Sequence, residues 1–230
     1  MMMSSRFIII GSKMKTRALA LLSSVFILLA IVLGSLIYVS YDKAYFASYQ
    51  RDKRIDLEAG LDQEGLDKVT SDLLDYLKQG DNDLLEPHFN EKEILHMEDV
   101  FSIYEAGRLV FFSSLALGLG LSILGYKIFK SYYLSKLGSS LPIVGLLMVV
   151  FLGILFINFS ESFIKFHHIF FDNDLWLLDP KTDLMIRMLP EYFFKDLVFR
   201  VIVIAGGIFV LVEGATLLLA KKTLAIETGS

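Results

Sequence analysis

The sequence predicts an all-α fold: a four-helix transmembrane bundle with a helical extracytoplasmic loop domain and an aromatic interfacial loop. Of the 230 residues, 54% are hydrophobic and 21% are charged, a more apolar balance than soluble domains show. The apolar residues are concentrated in four long runs. All but two of the 26 acidic residues lie between these runs, in segments 42–108 and 161–196. This alternation predicts a multi-pass protein of the cell membrane.

Composition also excludes several classes of function. A formal net charge of -4 offers no basic surface for nucleic acid. The chain has no cysteine, so disulfides, thiolate catalysis and cysteine metal sites are excluded. The sequence has no P-loop, no dinucleotide-binding fingerprint and no G-x-S-x-G serine elbow. Candidate chemistry is therefore confined to the histidines and carboxylates of the acidic segments.

Each apolar run is long enough to cross a bilayer, which takes about 20 residues per helix. The first run could instead be a signal peptide, but it exceeds the usual apolar core of ~7–15 residues and no clear cleavage site follows. The fourth run contains Arg200 and Glu213. Glu213 lies within about two turns of Lys221, so pairing with a lysine is favoured over a functional role. The runs are residues 18–41, 109–126, 137–160 and 197–220.

The basic residues set the predicted orientation, because cytoplasmic loops are enriched in Lys and Arg. They cluster before the first run, between the second and third, and after the fourth, with Glu227 as the one acid among them. Both termini are therefore predicted to be cytoplasmic, and the acidic segments to lie at the outer leaflet. The clusters are Arg6, Lys13, Lys15 and Arg17; Lys127, Lys130 and Lys136; and Lys221 and Lys222.

These signals divide the chain into nine predicted segments. The two outer segments are the larger connections, and they hold all four histidines. The segments are a cytoplasmic N-terminus (1–16), the first span (17–40), the extracytoplasmic loop domain (41–106), the second span (107–129), a cytoplasmic loop (130–138), the third span (139–160), the extracytoplasmic interfacial loop (161–196), the fourth span (197–219) and a cytoplasmic C-terminus (220–230).

Local patterns predict helices in the first outer segment. Leucine and valine recur at helical spacing between Leu66 and Leu77, and Gly80 follows as a stop signal. This apolar stripe is expected to pack inside the outer domain rather than bind a membrane surface or a partner. Asn90 with Glu93 three residues later forms a capping-box signature that predicts a helix start.

Glycines in the apolar runs predict close contacts between helices. Gly118 and Gly120 lie in the second run, and Gly206 and Gly207 lie in the fourth. Small residues allow the backbones of membrane helices to approach closely. A structural role is therefore expected for all four.

The second outer segment combines aromatic and charged residues in an unusual way. The stretch FIKFHHIFF, residues 163–171, places four phenylalanines around two histidines, and Trp176, the only tryptophan of the chain, follows. The segment is too charged to span a bilayer and too apolar for bulk water. Aromatic residues with polar tips favour the headgroup level, so this loop is expected to lie in the outer interface of the membrane.

The histidines are the candidate acids and bases. His96 has Glu93 and Asp99 at three-residue intervals, so one of these carboxylates could orient its imidazole. His167 and His168 are followed by Asp172, Asp174 and Asp179, which could do the same for them. Glu93-x-x-His96 is also half of a di-iron motif, but no second copy exists. A zinc site drawn from both outer segments has no diagnostic spacing.

Two blocks carry a resemblance to a known family. They are FNEKEILHMEDV, residues 89–100, and FHHIFFDNDLWLLDPKTDLMIRMLPEYFF, residues 166–194. Together with four apolar runs, they resemble the lipoprotein intramolecular transacylases of Gram-positive bacteria, over residues 15–222. The resemblance implies an acyltransferase that moves an acyl chain from the diacylglyceryl group of a lipoprotein to the α-amino group of its N-terminal cysteine. The implied partners are diacylated lipoproteins and membrane lipid, with no cofactor and no metal.

The resemblance also implies site residues. His96 and His167 are expected to be catalytic, and the F-H-x-x-F-F pattern favours His167 over His168. Which of the two histidines is the base and which is the acid stays open. Glu93, Asp99 and Asp179 are expected to orient imidazoles, Arg187 to hold a polar group or the oxyanion, and Trp176 to line the lipid side. Asn90 and Asn173 complete the set of expected orienting or substrate-binding residues.

The residues suit this chemistry on their own. An amine with a pKa of about 7.7–8.0 must attack an ester, which requires a base, and the leaving oxygen requires a proton. If residues 90–129 formed one straight helix, His96 would lie about 20 Å from Leu109 along the axis. A bend near Gly107, or a helix lying flat on the membrane, is therefore expected.

Two alternatives remain open from the sequence. The chain could be a non-enzymatic membrane sensor or assembly factor that binds a partner through its acidic outer domain. It could also be a metal-dependent membrane hydrolase. Alanine at His96 would separate the first alternative from the transacylase, and metal analysis of the purified protein would separate the second.

Overall fold

A computed structural model describes the backbone of residues 2–229 and the side chains of residues 13–229. Within that range all regular structure is helical, so the prediction of an all-α fold is confirmed. The helices are α1 (Met2–Ser40), α2 (Lys43–Asp52), α3 (Ile55–Ala59), α4 (Gln63–Gln79), α5 (Glu91–Ile157), α6 (Phe159–Phe170), α7 (Leu184–Met188) and α8 (Glu191–Thr228), with a single 3-10 turn at Asn82–Leu84.

Three of the described helices, α1, α5 and α8, are long and apolar enough to cross a membrane. Helix α1 contains the first apolar run and α8 contains the fourth, whereas α5 contains both the second and the third. The second outer segment, predicted as a loop, holds the two helices α6 and α7 and the first turns of α8.

Helix α5 consists of two helical pieces that meet at Lys130. The backbone there has φ 47° and ψ -126°, which no helix adopts. The hydroxyl of Tyr133 lies 3.2 Å from the hydroxyl of Ser122, whereas eleven residues of straight helix would separate their backbones by about 16 Å. The chain therefore reverses direction at Lys130. Gly107 lies inside the uninterrupted first piece, so the break in the helical backbone of α5 lies at Lys130 and not near Gly107.

The chain folds into two compact units. We call the first the apolar unit; it comprises Met1–Gly34, Leu109–Ile154 and Ile202–Ser230. We call the second the histidine unit, because Ser35–Arg108 and Leu155–Val201 contain all four histidines. This division follows the pattern of the sequence, since the apolar runs supply most of one unit and the acidic segments supply most of the other.

Close packing in the apolar unit is centred on Tyr133. Its ring is fully buried among Ala20, Leu28, Leu137 and other residues of one cluster. Its hydroxyl donates to the Oγ of Ser23, at 2.8 Å. The buried phenol thus has a polar partner, as a buried hydroxyl requires.

Only part of the glycine prediction holds. A Cβ on Gly118 would lie 3.2 Å from the backbone nitrogen of Ile27, so the predicted close contact is confirmed there. Gly120, Gly206 and Gly207 have open space where a Cβ would stand, so the prediction of close contacts is wrong for these three.

The predicted helices of the histidine unit are present. The stripe on α4 is buried, with Leu66, Leu73 and Leu74 nearly inaccessible, so its packing role is confirmed. Gly80 ends α4 with a φ of +70°, a conformation that glycine adopts readily. The capping box is formed at the start of α5, because the backbone N–H groups of Asn90 and Glu93 each donate to the other residue's side chain.

Arg200 joins the start of α8 to α2. Its Nη2 lies 2.6 Å from Asp42 Oδ2, and its guanidinium stacks 3.9 Å from the centre of the Tyr45 ring. The Oδ1 of Asp42 accepts a hydrogen bond from the Tyr45 N–H and so caps α2. The one arginine of the fourth apolar run therefore has an ion-pair partner within the histidine unit.

Two glycine variants test the packing around Tyr133. The Tyr133 ring occupies the place of a Cβ at Gly125, whereas the matched position Gly120 is open. We expect Gly125→Ala to lower the thermal unfolding midpoint, because overpacking costs about 1–3 kcal/mol. Gly120→Ala should leave the midpoint unchanged or raise it, since alanine favours a helix by about 1 kcal/mol. Equal midpoints for the two purified variants would contradict the packing at Tyr133.

Candidate active site

The site begins at the polar start of α5, before the apolar run that opens at Leu109. Glu93 is 1% exposed. Its Oε1 accepts from the Met185 N–H at 2.6 Å, and its Oε2 accepts from the Asn90 N–H at 3.0 Å. Burial raises the pKa of Glu93, and the two N–H donors oppose that rise. The carboxylate thus joins the start of α5 to α7.

Asp183, which sequence reasoning missed, strengthens the same connection. Its carboxylate is buried and accepts from the Asn90 side-chain amide at 2.9 Å and from the Asp179 N–H at 2.7 Å. Thr182 donates to it as well, and Lys92 lies 3.9 Å away. No local pattern in the sequence marks Asp183, because the helix that it precedes, α7, has only five residues and was not predicted. We call Asn90, Glu93, Asp183 and Met185 the α5–α7 junction.

His96 follows Glu93 by one turn of α5. The residue is 7% exposed, and its Nδ1 is buried without a hydrogen-bond partner among the described residues. Burial, together with the smaller effect of the neighbouring His167, lowers the pKa of His96 to about 4. His96 is therefore neutral at physiological pH.

His167 lies in the last turn of α6 and is 8% exposed. Its Nδ1 lies 2.7 Å from the backbone carbonyl oxygen of Phe163. A carbonyl only accepts, which assigns the hydrogen to Nδ1 and leaves a lone pair on Nε2. Burial lowers the pKa of His167, although the carbonyl opposes that shift.

The structure brings His96 and His167 together. Their ring centres are 6.2 Å apart with an interplanar angle of 29°. The ring of Phe171 lies 5.1 Å from His96 and 5.4 Å from His167. Two neutral imidazoles therefore share one aromatic surrounding, although 71 positions separate them in the sequence.

The other two histidines lie elsewhere. The Nε2 of His88 is 2.7 Å from the Asp72 carboxylate, so this histidine pairs with α4. His168 is exposed, and its ring is nearly perpendicular to that of Trp176, with 5.1 Å between the ring centres.

The carboxylates expected beside the imidazoles have other partners. Asp99 accepts from the side-chain amide of Asn173 at 2.9 Å, and Asp179 accepts from the Lys181 N–H. Among the described residues no carboxylate hydrogen-bonds to His96 or His167. The group that orients His167 is the carbonyl of Phe163, which no side-chain pattern could reveal.

Arg187 and Trp176 differ in their relation to the pair. The Nε of Arg187 donates to the Asp183 carbonyl at 3.2 Å, which places this arginine at the α5–α7 junction. Trp176 stacks on His167 with 4.8 Å between ring centres and an interplanar angle of 30°. The tryptophan is thus in direct contact with a candidate catalytic ring.

An exposed apolar surface borders the histidine pair within the same unit. On α6, Phe166 is 42%, Ile169 is 75% and Phe170 is 54% exposed. Leu95, the neighbour of His96, and Leu177, the neighbour of Trp176, are also exposed. The rings of Phe166 and Phe170 are 4.6 Å apart, and exposed apolar patches of this kind mark a contact with membrane or partner.

The described residues include no group of three or more histidines, aspartates or glutamates placed to hold a metal ion. The arrangement offers a hydrogen-bond acceptor on His167 and a second neutral imidazole on His96. These groups suit proton transfer between two atoms of one apolar substrate.

Comparisons with known proteins show the fold and the family of the chain. The chain is similar in fold to the membrane integral lipoprotein intramolecular transacylase Lit from Bacillus cereus, with a TM-score of 0.79 and 24% identity over 90% of this chain and 97% of that one. A structure of that protein with one histidine replaced by arginine gives a TM-score of 0.77 and 23% identity, over 95% of this chain and 97% of that one. A third, with alanine in place of a histidine, gives 0.77 and 21%, over 96% and 99%.

No curated protein sequence matches the chain significantly. The model of the family described as lipoprotein intramolecular transacylase Lit matches residues 21–194. That match covers most of the chain, including the first outer segment, all but the last two residues of the second, and both His96 and His167. The chain, in which three of the described helices are long and apolar enough to cross a membrane, is an enzyme that belongs to the lipoprotein intramolecular transacylase Lit family.

Proposed function

We propose that this transacylase moves one acyl chain from the diacylglyceryl group of a bacterial lipoprotein to the α-amino group of the same lipoprotein's N-terminal cysteine, with His96 and His167 as its catalytic residues. The observation that carries the proposal is the pair of buried, neutral imidazoles, 6.2 Å apart and bordered by exposed apolar side chains. The family supports a lipoprotein as the substrate.

His167 is the base of the proposed reaction. With its Nδ1–H donated to the Phe163 carbonyl, Nε2 is free to accept a proton from the attacking amine. The lowered pKa of His167 keeps that nitrogen unprotonated near pH 7. As the amine nitrogen bonds to the ester carbonyl carbon, its proton passes to His167 and then to the glyceryl oxygen as the carbon–oxygen bond breaks.

His96 is the hydrogen-bond donor of the proposed reaction. Its Nδ1 is buried without a partner in the described part of the chain. An unpaired buried acceptor is better tolerated than an unpaired buried N–H, which favours the tautomer with hydrogen on Nε2. That N–H is available to the negative charge that develops on the ester oxygen, a stabilisation worth about 10²–10³ in rate per donor.

The substrate itself supplies the nucleophile. Amine and ester belong to one lipoprotein, so the enzyme needs to hold them together in a reactive geometry rather than form a covalent intermediate. The exposed side chains of Phe166, Ile169 and Phe170 are suited to contact acyl chains. The ring of Phe166 lies 5.5 Å from that of His167, so the exposed apolar side chains of α6 reach the histidine pair. Acyl chains bound to these side chains would bring the ester of the lipoprotein to the histidines, although His96 is more than three helical turns from the start of the apolar run at Leu109.

The proposed topology has four crossings: α1, the two pieces of α5 on either side of Lys130, and α8. The reversal of the chain at Lys130 supports the two crossings within α5. Both termini then lie in the cytoplasm and the histidines at the outer leaflet, as the distribution of Lys and Arg predicts.

Reporter fusions test this orientation. A reporter that is active only outside the cell should work when fused after Glu64 or Asp174. It should fail after Lys136 or Lys222, which are assigned to the cytoplasm. Activity of the fusion after Lys136 would contradict the four-crossing topology.

Histidine variants test the catalytic assignment. His96→Ala and His167→Ala should each reduce formation of N-acylated lyso-lipoprotein by about 10²–10⁴-fold, since each removes a group that contacts the reacting atoms. The double variant should be scarcely worse than either single one, because the two act as a unit. Mass spectrometry of the lipoprotein N-terminus measures the product.

His88→Ala and His168→Ala are the matched controls. His88 pairs with Asp72 and His168 is exposed, so both variants should keep most of the activity. Full activity in a well-expressed His96→Ala protein would refute the proposed mechanism.

Glu93 and its exposed neighbour Glu91 test the α5–α7 junction. Glu93→Ala leaves the N–H groups of Asn90 and Met185 without their acceptor, at a cost of about 1–3 kcal/mol for each that stays buried. We expect a lower unfolding midpoint and an activity loss smaller than that of His96→Ala. Glu91→Ala should change neither the unfolding midpoint nor the activity. An equal effect of the two substitutions would contradict the role of Glu93 in the α5–α7 junction.

A further inference from the structure

Three aromatic rings surround His167 and take no direct part in the proposed proton transfer. The ring centre of Phe163 lies 4.4 Å from that of His167, Trp176 lies 4.8 Å away and Phe171 lies 5.4 Å away. We call Phe163, Phe171 and Trp176 the aromatic box. Trp176 is nearly parallel to the imidazole, whereas Phe163 is inclined to it by 58°.

A positive charge at His167 needs compensation, because the residue is 8% exposed and an isolated buried charge is costly. In most sites a carboxylate supplies it. Here no carboxylate among the described residues hydrogen-bonds to His167. The titratable groups that face it are His96 from α5 and His168 from its own helix, and neither attracts a cation.

Charged groups farther from His167 do not compensate a positive charge on its ring either. Lys92 and Asp99 act on His96, with opposite signs. The segment that packs on α6 from the other side presents the rings of Phe171 and Trp176. The face of an aromatic ring attracts a cation within about 6 Å of its centre, and tryptophan does so most strongly.

We propose that Trp176 is a positioning residue that stabilises the imidazolium form of His167 by a cation–π interaction while that histidine holds the proton of the attacking amine. This inference rests on the proposed role of His167 as the base. The interaction strengthens when charge develops and is weak in the neutral ground state, so it lowers the barrier without protonating the base beforehand.

The single tryptophan of the chain makes a sharp experiment possible. Biosynthetic replacement of tryptophan by its mono-, di- and trifluorinated analogues changes Trp176 alone in the full-length enzyme. Each fluorine withdraws electron density from the ring face and leaves the shape of the indole nearly unchanged. The rate of lyso-lipoprotein formation should fall stepwise with the number of fluorines, by roughly two- to thirtyfold across the series.

The pH profile of the same series separates this role from packing. Weaker stabilisation of the imidazolium lowers the pKa of His167, so the acidic limb of the profile should move to lower pH as fluorines are added. The thermal unfolding midpoint should stay constant. The series repeated in His168→Gln should give the same trend, because His168 is exposed and is not stacked on Trp176 as His167 is.

Fluorescence gives a readout that does not depend on activity. A protonated imidazole in contact with an indole quenches its emission, so the emission of Trp176 should fall as the purified enzyme is acidified. The quenching step should disappear in His167→Ala and persist in His168→Gln. Persistence of the full step in His167→Ala would overturn the inference.

The outcomes distinguish this inference from the proposed function. If His167→Ala is inactive but the fluorinated series shows no change in rate or pH profile, the cation–π role is wrong and the histidine mechanism stands. If a well-expressed His167→Ala protein is fully active, the proposed mechanism fails, and the inference fails with it.

Discussion

The hydrogen bond from the Met185 N–H to Glu93 is the contact on which the arrangement of the site depends. It joins two parts of the chain that lie 92 positions apart. His96 follows Glu93 by one helical turn, and Met185 follows the segment that carries His167 and Trp176. A buried carboxylate is costly unless donors surround it, and the N–H groups of Asn90 and Met185 meet that requirement. The same group therefore starts α5 and fixes α7 beside it.

Sequence patterns predicted the features that depend on local preferences of particular residue types. The apolar stripe of α4, its stop at Gly80 and the capping box before α5 all follow from local rules, and each is present. The choice of His96 and His167 came from a family resemblance, and the structure brings their rings together. Backbone partners could not be predicted in this way, because the Phe163 carbonyl and the Met185 N–H are groups that nearly every residue carries.

Two errors have physical causes that are visible in the structure. A bend near Gly107, or a helix lying flat, was expected, but the break in α5 lies at Lys130; glycine inside a helix costs only about 1 kcal/mol relative to alanine and does not by itself force a kink. Glu93 was expected to orient His96 from the adjacent turn. The N–H groups at a helix start lack partners within the helix. The carboxylate of Glu93 instead accepts hydrogen bonds from the N–H of Asn90, at the start of α5, and from the N–H of Met185 in α7.

The absence of a carboxylate bond to either histidine, in the part of the chain that the structure describes, suits the proposed chemistry. A carboxylate beside His167 would favour the imidazolium, raise the pKa and so remove the base before the amine arrives. The Phe163 carbonyl fixes the tautomer of the ring without adding a full negative charge. Aromatic faces then attract the cation only once it forms. In the proposed mechanism, orientation by a carbonyl keeps His167 a free base in the resting enzyme, and stabilisation by aromatic rings allows it to hold a proton during the transfer.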